Sequence, residues 1–383
     1  MVGSYAIIPS GAVGIGLENY LIHYHAGALT VGARGLNLTA NADAKTYGTA
    51  KPYGPGQTAF STGAGELVNG DRVSSVTLAS SDGGPATAVV GSYHLSASAA
   101  VGTGLGNYAI YYHDGTLTVT TRALNLTANG DSKIYGAVKL YGPGQTAFGT
   151  GAGELVNGDS VTNVTLACVD GGPATAAVGD YDLIASGAVG SGLGNYSLSY
   201  HAGTLRVLAA NSALALVSSA NPSVHGSNVT FTATVTPVAP GTTTPGGSVQ
   251  LYINGDACGG PLPLIDGVVG ITAAFYRIGS NLVAATYLPA GNYVGCEASL
   301  VQMVQQAAQQ APITTGIKNQ GNGTVAVSFL GTPYAEYVVQ ASARLVPLLW
   351  QNVSTNLAGA DGRWTFEDTL GRAPQRFYRA AKP

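Results

Sequence analysis

Apolar and polar residues alternate in short runs along almost the whole chain. Leu36, Leu38 and Ala40 share one face of such a run, Val76 and Leu78 share one face of another, and Val229, Phe231, Ala233 and Val235 line a third. A period of two is the mark of a strand with one buried face. No stretch repeats its apolar residues at i, i+3, i+4 and i+7 over the length of a helix, so the pattern predicts an all-β protein with almost no helix. Between the runs stand Asn-Gly, Asp-Gly and Gly-Pro pairs, the residues that tolerate turn geometry. Tyr108, Ile110 and Tyr112 alternate ahead of Asp114-Gly115, and Thr116–Val119 follows, which predicts a β-hairpin. Asn19–Val31 and Asn195–Val207 read the same way.

Those three stretches belong to a strict repeat. Tyr5, Tyr93 and Tyr181 stand 88 residues apart, and the register holds for Asn19/Asn107/Asn195, Tyr24/Tyr112/Tyr200 and His25/His113/His201. The two complete copies also match at Lys45/Lys133, Tyr47/Tyr135, Glu66/Glu154 and Asp71/Asp159. A fixed period of this length means tandem modules, each large enough for its own core. Within one unit the expected order is a strand at Leu36–Ala40, a polar turn through Asn41–Lys45, the motif Thr46-Tyr47-Gly48, a Gly/Pro-rich passage at 51–56, a strand at Val73–Leu78, a strand at Val89–Ser96, and the hairpin. The chain opens in mid-unit, since Met1–Tyr5 aligns with Val89–Tyr93, so more repeat and an export signal are expected upstream.

The register ends after Val207. The fold class expected for the whole is all-β: tandem β-rich repeat modules, a β-sandwich and a small C-terminal β domain, in an elongated multi-domain array. The expected divisions are 1–33 for the tail of one repeat, 34–121 and 122–209 for two repeats, 212–305 for the sandwich, 306–316 for a Gln/Ala-rich linker and 317–383 for the last domain. Four or five strands, with Trp350 and Trp364 filling a small core, are expected in that last domain.

Composition narrows the function. Only 9% of residues are charged, against about 25% in an ordinary soluble protein, and the net charge of −3 gives no cationic field for nucleic acid. No apolar run reaches the roughly 20 residues that span a bilayer.

Leu-Thr-Ala-Asn at 38–41, Lys-Thr-Tyr-Gly at 45–48, Leu-Val-Asn-Gly-Asp at 67–71, Val-Gly-Ser-Tyr at 90–93 and Gly-Thr-Leu-Thr-Val at 115–119 recur in order in the second copy with minor substitutions. Together they resemble the MBG ("mostly beta, glycine-rich") repeat domains of large bacterial surface and adhesin-like proteins, over residues 1 to about 209. That resemblance implies an extracellular, structural role with no catalytic residues. Residues 212–305 resemble bacterial immunoglobulin-like domains, through Val229–Pro237, Gly247–Tyr252 and Leu288–Val294. The ending resembles the C-terminal domain of secreted proteins of Verrucomicrobia and Planctomycetes.

Several residues invite a chemical reading. His25, His113 and His201 repeat beside glycines but bring no second repeating ligand, so a turn residue capping backbone is expected rather than a metal ligand. Asn-Gly-Asp at 69–71 and 157–159, with Asp82 and Asp170, could gather oxygens around a structural Ca²⁺, yet lacks Asp-x-Asp-x-Asp spacing and reads as Asx turns. The Gly-x-Gly pieces at 14–16, 102–104 and 190–192 precede strands and lack the Lys-Ser/Thr of a phosphate loop. Tyr108 and Tyr112 read as core rather than as a sugar-stacking strip. Cys258 and Cys296 share a domain and are the candidate disulfide; Cys168 stands where the first copy has Ser80, as a small, partly buried residue. Arg372, Arg376, Arg379 and Lys382 make the extreme end basic, as a solvated final strand. No catalytic, cofactor-binding or metal residues are expected, nor any cofactor.

The function expected is a non-enzymatic surface stalk or adhesin whose partner is an unidentified surface ligand, a glycan or another cell-surface protein. The alternatives are a carbohydrate-binding appendage of a secreted polysaccharide-degrading enzyme and a self-assembling matrix subunit.

Overall fold

The computed structural model describes residues 1–321, 323–370 and 375–383, and among them every regular element longer than a three-residue 3₁₀ turn is a β-strand. The chain divides into two compact units. One comprises Met1–Ser132, Lys139–Gly172 and Asp180–Arg206; the other comprises Lys133–Val138, Pro173–Gly179 and Val207–Pro383.

β1 (Gly3–Ile7) and β2 (Gly27–Val31) pair antiparallel ahead of the first complete repeat. That repeat supplies β3 (Arg34–Ala40), β4 (Asp43–Thr46), β5 (Phe60–Thr62), β6 (Arg72–Ala79), β7 (Gly91–Thr103), β8 (Tyr108–His113) and β9 (Gly115–Thr120). They form two sheets, ordered β5-β3-β8 and β4-β9-β7-β6. Leu38 and Ala40 from the first sheet meet Val76, Leu78, Leu95 and Leu117 from the second, and all six are buried. The alternation read from the sequence is therefore the inward face of a sandwich.

Two expectations fail here. The hairpin at Tyr108–Val119 does not form, because its halves enter different sheets: β8 runs parallel to β3, with Leu36 opposite Ile110, while β9 pairs with β7 and, in parallel, with β4. Asp114-Gly115 is a crossover between sheets. The polar turn expected over Asn41–Lys45 contains β4, whose backbone hydrogen bonds come from β9 despite its polar side chains.

The second repeat follows with β10 (Arg122–Ala128), β11 (Asp131–Ile134), β12 (Phe148–Thr150), β13 (Ser160–Ala167), β14 (Gly179–Ser191), β15 (Tyr196–His201) and β16 (Gly203–Leu208). β12-β10-β15 repeats β5-β3-β8, with β10 and β15 parallel, and β13 pairs with β14 as β6 does with β7, bulges included.

From Ser212 the strands are β17 (Ser212–Ser218), β18 (Ser223–Val224), β19 (Asn228–Pro237), β20 (Gly247–Ile253), β21 (Asp256–Ala257), β22 (Leu262–Pro263), β23 (Val268–Ala274), β24 (Gly279–Pro289) and β25 (Glu297–Gln305). They lie in two sheets, β17-β19-β23 and β18-β25-β24-β20-β21, with β22 also on β20. Val229, Phe231, Ala233 and Val235 all face the core, as their alternation predicted.

The last strands are β26 (Ile313–Asn319), β27 (Thr324–Leu330), β28 (Glu336–Ser342), β29 (Gln351–Leu357), β30 (Arg363–Thr369) and β31 (Phe377–Ala381), in sheets β26-β27-β30 and β29-β28-β31. Their core holds Val325, Val327, Phe329, Tyr337, Val339 and Trp364. Trp350 stays outside it, half-buried, under the guanidinium of Arg379 at 4.5 Å.

Candidate functional site

The polar residues that repeat at 88-residue spacing are spent on fastening backbone. Glu66 reaches from the loop before β6 to β3, where Oε2 accepts the Asn37 backbone N–H at 2.6 Å and Oε1 accepts the Asn37 side-chain amide at 2.7 Å. His113, at the end of β8, donates from Nε2 to Asn37 Oδ1 at 2.9 Å. Glu154, Asn125 and His201 do the same in the second repeat. These histidines hold one strand to another, where the sequence suggested a backbone cap. The Asn37 amides hold the Glu66 carboxyl below its usual range.

A second cluster closes the Gly/Pro-rich passage. Asp43 accepts from Lys51 Nζ, from Tyr53 Oη at 3.0 Å and from the Ala44 N–H at 2.8 Å. Burial pushes the Asp43 carboxyl up, but Lys51, Ala44 and Tyr53 together outweigh it and leave it below the usual range; Asp131 behaves alike with Lys139, Ser132 and Tyr141. Beside it Lys45, 7% exposed, donates to the carbonyls of Gly84 and Pro85, and burial pulls its ammonium pKa down. Lys133 likewise donates to Ala137 and Pro173 carbonyls. A depressed carboxyl stabilises the fold above its ordinary titration range, and that contribution disappears as pH falls through the lowered pKa. Urea midpoints measured from pH 7 to pH 3 should therefore fall, and Asp43→Asn with Asp131→Asn should flatten the acid limb. Each site is partly exposed and screened, so the expected loss is under about 1 kcal/mol per site.

The remaining sequence candidates are placed as follows. Among the described residues no group of three His, Cys, Asp or Glu side chains converges as metal ligands. Asp71 and Asp159 accept hydrogen bonds from Tyr108 and Tyr196, at 3.1 and 3.0 Å. Cys258 and Cys296 are free thiols, so the candidate disulfide is not formed; Cys296 Sγ lies 3.2 Å from Ser212 Oγ. Cys168 is a free thiol, half-buried as expected. At the basic end Arg376 pairs with Asp368 at 2.9 Å and Arg379 Nε donates to Gln340; Arg372 lies outside the described residues. Of the tyrosines read as core, Tyr108 is buried, whereas Tyr112 is exposed and its Oη accepts the Ala100 N–H at the β7 bulge.

The arrangement that sequence reasoning missed is a joint between the two repeats. Tyr47 of the first repeat, 3% exposed in the whole chain, donates from Oη to Asp159 Oδ2 of the next at 2.8 Å, and Tyr196 donates to that same oxygen at 3.0 Å. The two rings meet edge-on, with centroids 5.6 Å apart. The Val90 N–H donates to Asn195 Oδ1 at 2.9 Å, and the Asn157 side-chain amide donates to the Ala86 carbonyl at 3.0 Å. Gly48, at φ +82°, lies so near the next repeat that a Cβ on it would sit 2.5 Å from Val156 Cγ2. Tyr47, Ala88 and Val119 share one core with Leu124, Leu126 and Tyr196, so hydrophobic burial runs through the joint. The available signal was the pairing of Tyr-Gly at 47–48 with Asn-Tyr at 195–196, each repeated in register.

Among the described residues no helix is long and apolar enough to cross a membrane. Residues 36–118 and 124–206 match the MBG domain (YGX type), and residues 216–305 match the bacterial Ig-like domain (group 3). Among curated proteins none matches the chain. Among solved structures, the tetra-tandem repeat in the extending region of a large adhesion protein aligns over 91% of this chain and 98% of its own at 14% identity, with a TM-score of 0.31. The SGBP-B protein of the Bacteroides ovatus mixed-linkage glucan utilization locus aligns over 99% and 97% at 12% identity and a TM-score of 0.17. Bacteroides uniformis β-glucuronidase 3 aligns over 45% of this chain at 13% identity and a TM-score of 0.19, and the aligned part spans 25% of that enzyme. TM-scores this low carry no argument about function. By its family matches and its all-β architecture, the chain carries two tandem MBG domains of the YGX type followed by a bacterial Ig-like domain of group 3.

Proposed function

We propose that the chain is a non-enzymatic, extracellular spacer: a stalk or adhesin segment in which modules are added to hold a contact away from the cell surface and to repeat it. The supporting observation is that the same acids, lysines and histidines recur at the same places in both repeats and are consumed in fastening strands and loops to one another. Catalysis needs one unique constellation, whereas a spacer needs each unit to stand alone and to grip its neighbour. Repetition also turns a weak contact per unit into avidity. In this reading the units are 34–121, 122–209 and 212–305, a linker follows at 306–316, and 317–383 is a C-terminal domain of the type found on secreted Verrucomicrobia and Planctomycetes proteins.

Single-molecule pulling of the full chain tests it. Each repeat should rupture as a separate event, releasing about 30 nm of contour for 88 residues at roughly 3.5 Å per residue. Featureless extension at low force would sink the spacer reading. A glycan-binding appendage is the second reading, favoured by Tyr111, which projects from β8 and is 57% exposed. Binding to a polysaccharide panel that is lost in Tyr111→Ala would establish it.

A further inference from the structure

The joint between the two repeats recurs where the second repeat meets the Ig-like domain, although that domain belongs to another family. Tyr135, in register with Tyr47, has its Oη 3.1 Å from Thr243 Oγ1, and Tyr293 Oη lies 3.2 Å from that same oxygen. Thr243 thus takes the place of Asp159, and Tyr293 the place of Tyr196. The rings of Tyr135 and Tyr293 again meet edge-on, with centroids 5.7 Å apart at 80°, against 79° in the first joint. Both are buried, at 5% and 6% exposure. The Val178 N–H donates to Asn292 Oδ1 at 2.8 Å, as Val90 does to Asn195 and as Val2 does to Asn107 at 2.9 Å. Ala210 pairs in parallel with Tyr293, as Arg122 does with Tyr196 and Arg34 with Tyr108. Gly136 repeats Gly48: at φ +90°, a Cβ there would lie 2.1 Å from the Pro240 carbonyl oxygen.

We propose that the end of each MBG domain, formed by its Tyr-Gly turn and its Val-Gly turn, is a socket that recognises an Asn-Tyr pair on the domain that follows, whatever that domain's family. The socket offers one backbone N–H to the asparagine oxygen and one tyrosine edge to the tyrosine ring. One oxygen of the follower, Asp159 Oδ2 or Thr243 Oγ1, bridges the two tyrosines, and at Thr243 the Tyr293 hydroxyl also donates to the backbone carbonyl. The chemistry asked of the follower is small: an Asn-Tyr dipeptide, a bridging oxygen beside the tyrosine, and a preceding stretch of backbone that pairs with that tyrosine in parallel. The Ig-like domain meets all three with Asn292-Tyr293, Thr243 and Ala210, so the order of domains is open to exchange at this surface. The assignment does not depend on what the chain binds.

Amide hydrogen exchange on the full chain tests it. Asn292→Ala should speed exchange of the Val178 amide by about tenfold or more and leave Val90 unchanged, and Asn195→Ala should do the reverse. Asn292→Asp keeps an acceptor oxygen and should restore protection at Val178, which separates recognition from mere packing. A Val178 amide that exchanges at the same rate in Asn292→Ala as in the parent overturns the proposal. Interchange is tested by deleting residues 122–209, so that Thr121 leads directly into Ala210. The Val90 amide should then be protected by Asn292 and lose that protection in Asn292→Ala. If Val90 exchanges freely while the amides of Tyr93–Ala97 within β7 stay protected, the socket does not accept the Ig-like domain in place of a repeat and the proposal fails.

Discussion

Replacing Gly115 by alanine should cost the first MBG domain roughly 3 kcal/mol, the range of core overpacking. The cause is a close approach of main chain to main chain. A Cβ at Gly115 would stand 2.3 Å from the Ala40 carbonyl oxygen, 2.9 Å from its carbon and 3.0 Å from the Asn41 oxygen. These atoms belong to the end of β3 and the turn into β4, so no rotamer change clears them. Relief requires β9 to back away from its parallel partner β4, which also loosens its antiparallel pairing with β7. Gly203→Ala should act alike in the second repeat, where the Ala128 oxygen is again 2.3 Å from the added atom. Gly106→Ala is the control. Nothing lies within 4 Å of a Cβ there, and in the short turn Leu105–Asn107 alanine should be neutral or stabilise by up to about 1 kcal/mol. Urea denaturation of the full chain, with amide exchange to assign each transition to a repeat, reads the difference. A Gly115→Ala chain within about 1 kcal/mol of the parent would mean that the crossover is not as tight as described.

Gly115 also marks the limit of what the sequence discloses. Period-two alternation placed most strands and most core residues correctly, because burial of one strand face is written locally: Leu36, Leu38, Leu78, Leu117, Phe231 and Val235 are all buried. Partner choice is not local. Tyr108–His113 followed by Asp-Gly and Thr116–Val119 carries every local mark of a hairpin, yet β8 satisfies its backbone on β3, some seventy residues upstream. A strand's own residues do not say which sheet will take it. β4 shows the converse, since Asp43–Thr46 lacks the apolar alternation that signals a strand and is placed by its parallel pairing with β9.

The polar chemistry was legible as repetition but not as geometry. That His113 recurs at His201 could be read directly; that both turn toward an asparagine 76 residues away could not. In the sequence Asp159 reads as a turn residue, and its acceptance of two tyrosine hydroxyls from different repeats appears only once the repeats are side by side. The cysteines fail for the same reason in reverse. A plausible loop length says nothing of whether two side chains face one another, and Cys258 and Cys296 remain free thiols, Cys296 turned to Ser212.

Replacing Trp364 by alanine should cost the C-terminal domain about 3–5 kcal/mol, the range for removing a buried aromatic, which is most of what a domain of this size has. Trp364 lies on β30 between Phe329 of β27 and Tyr337 of β28, stacked on the first at 5.3 Å and 19° and on the second at 4.6 Å and 8°. It joins both sheets, since β27 and β30 belong to one and β28 to the other. Tyr337 in turn accepts the Thr332 N–H at 2.7 Å and donates to the Gln310 carbonyl at 2.9 Å, so losing the tryptophan frees the ring that holds residues 310 and 332 in place. Trp364→Phe should cost well under half as much. It keeps a ring in the stack and removes the buried indole Nε1–H, which has no hydrogen-bond partner among the described residues. Tryptophan fluorescence cannot be the only readout, since Trp364 is itself the probe. Amide exchange across β27 and β28 should instead show the C-terminal domain opening at lower urea in Trp364→Ala, with the core amides of the two MBG domains unmoved. An alanine variant that opens no earlier than the phenylalanine variant would show that stacking on Phe329 and Tyr337 is not what holds the two sheets together.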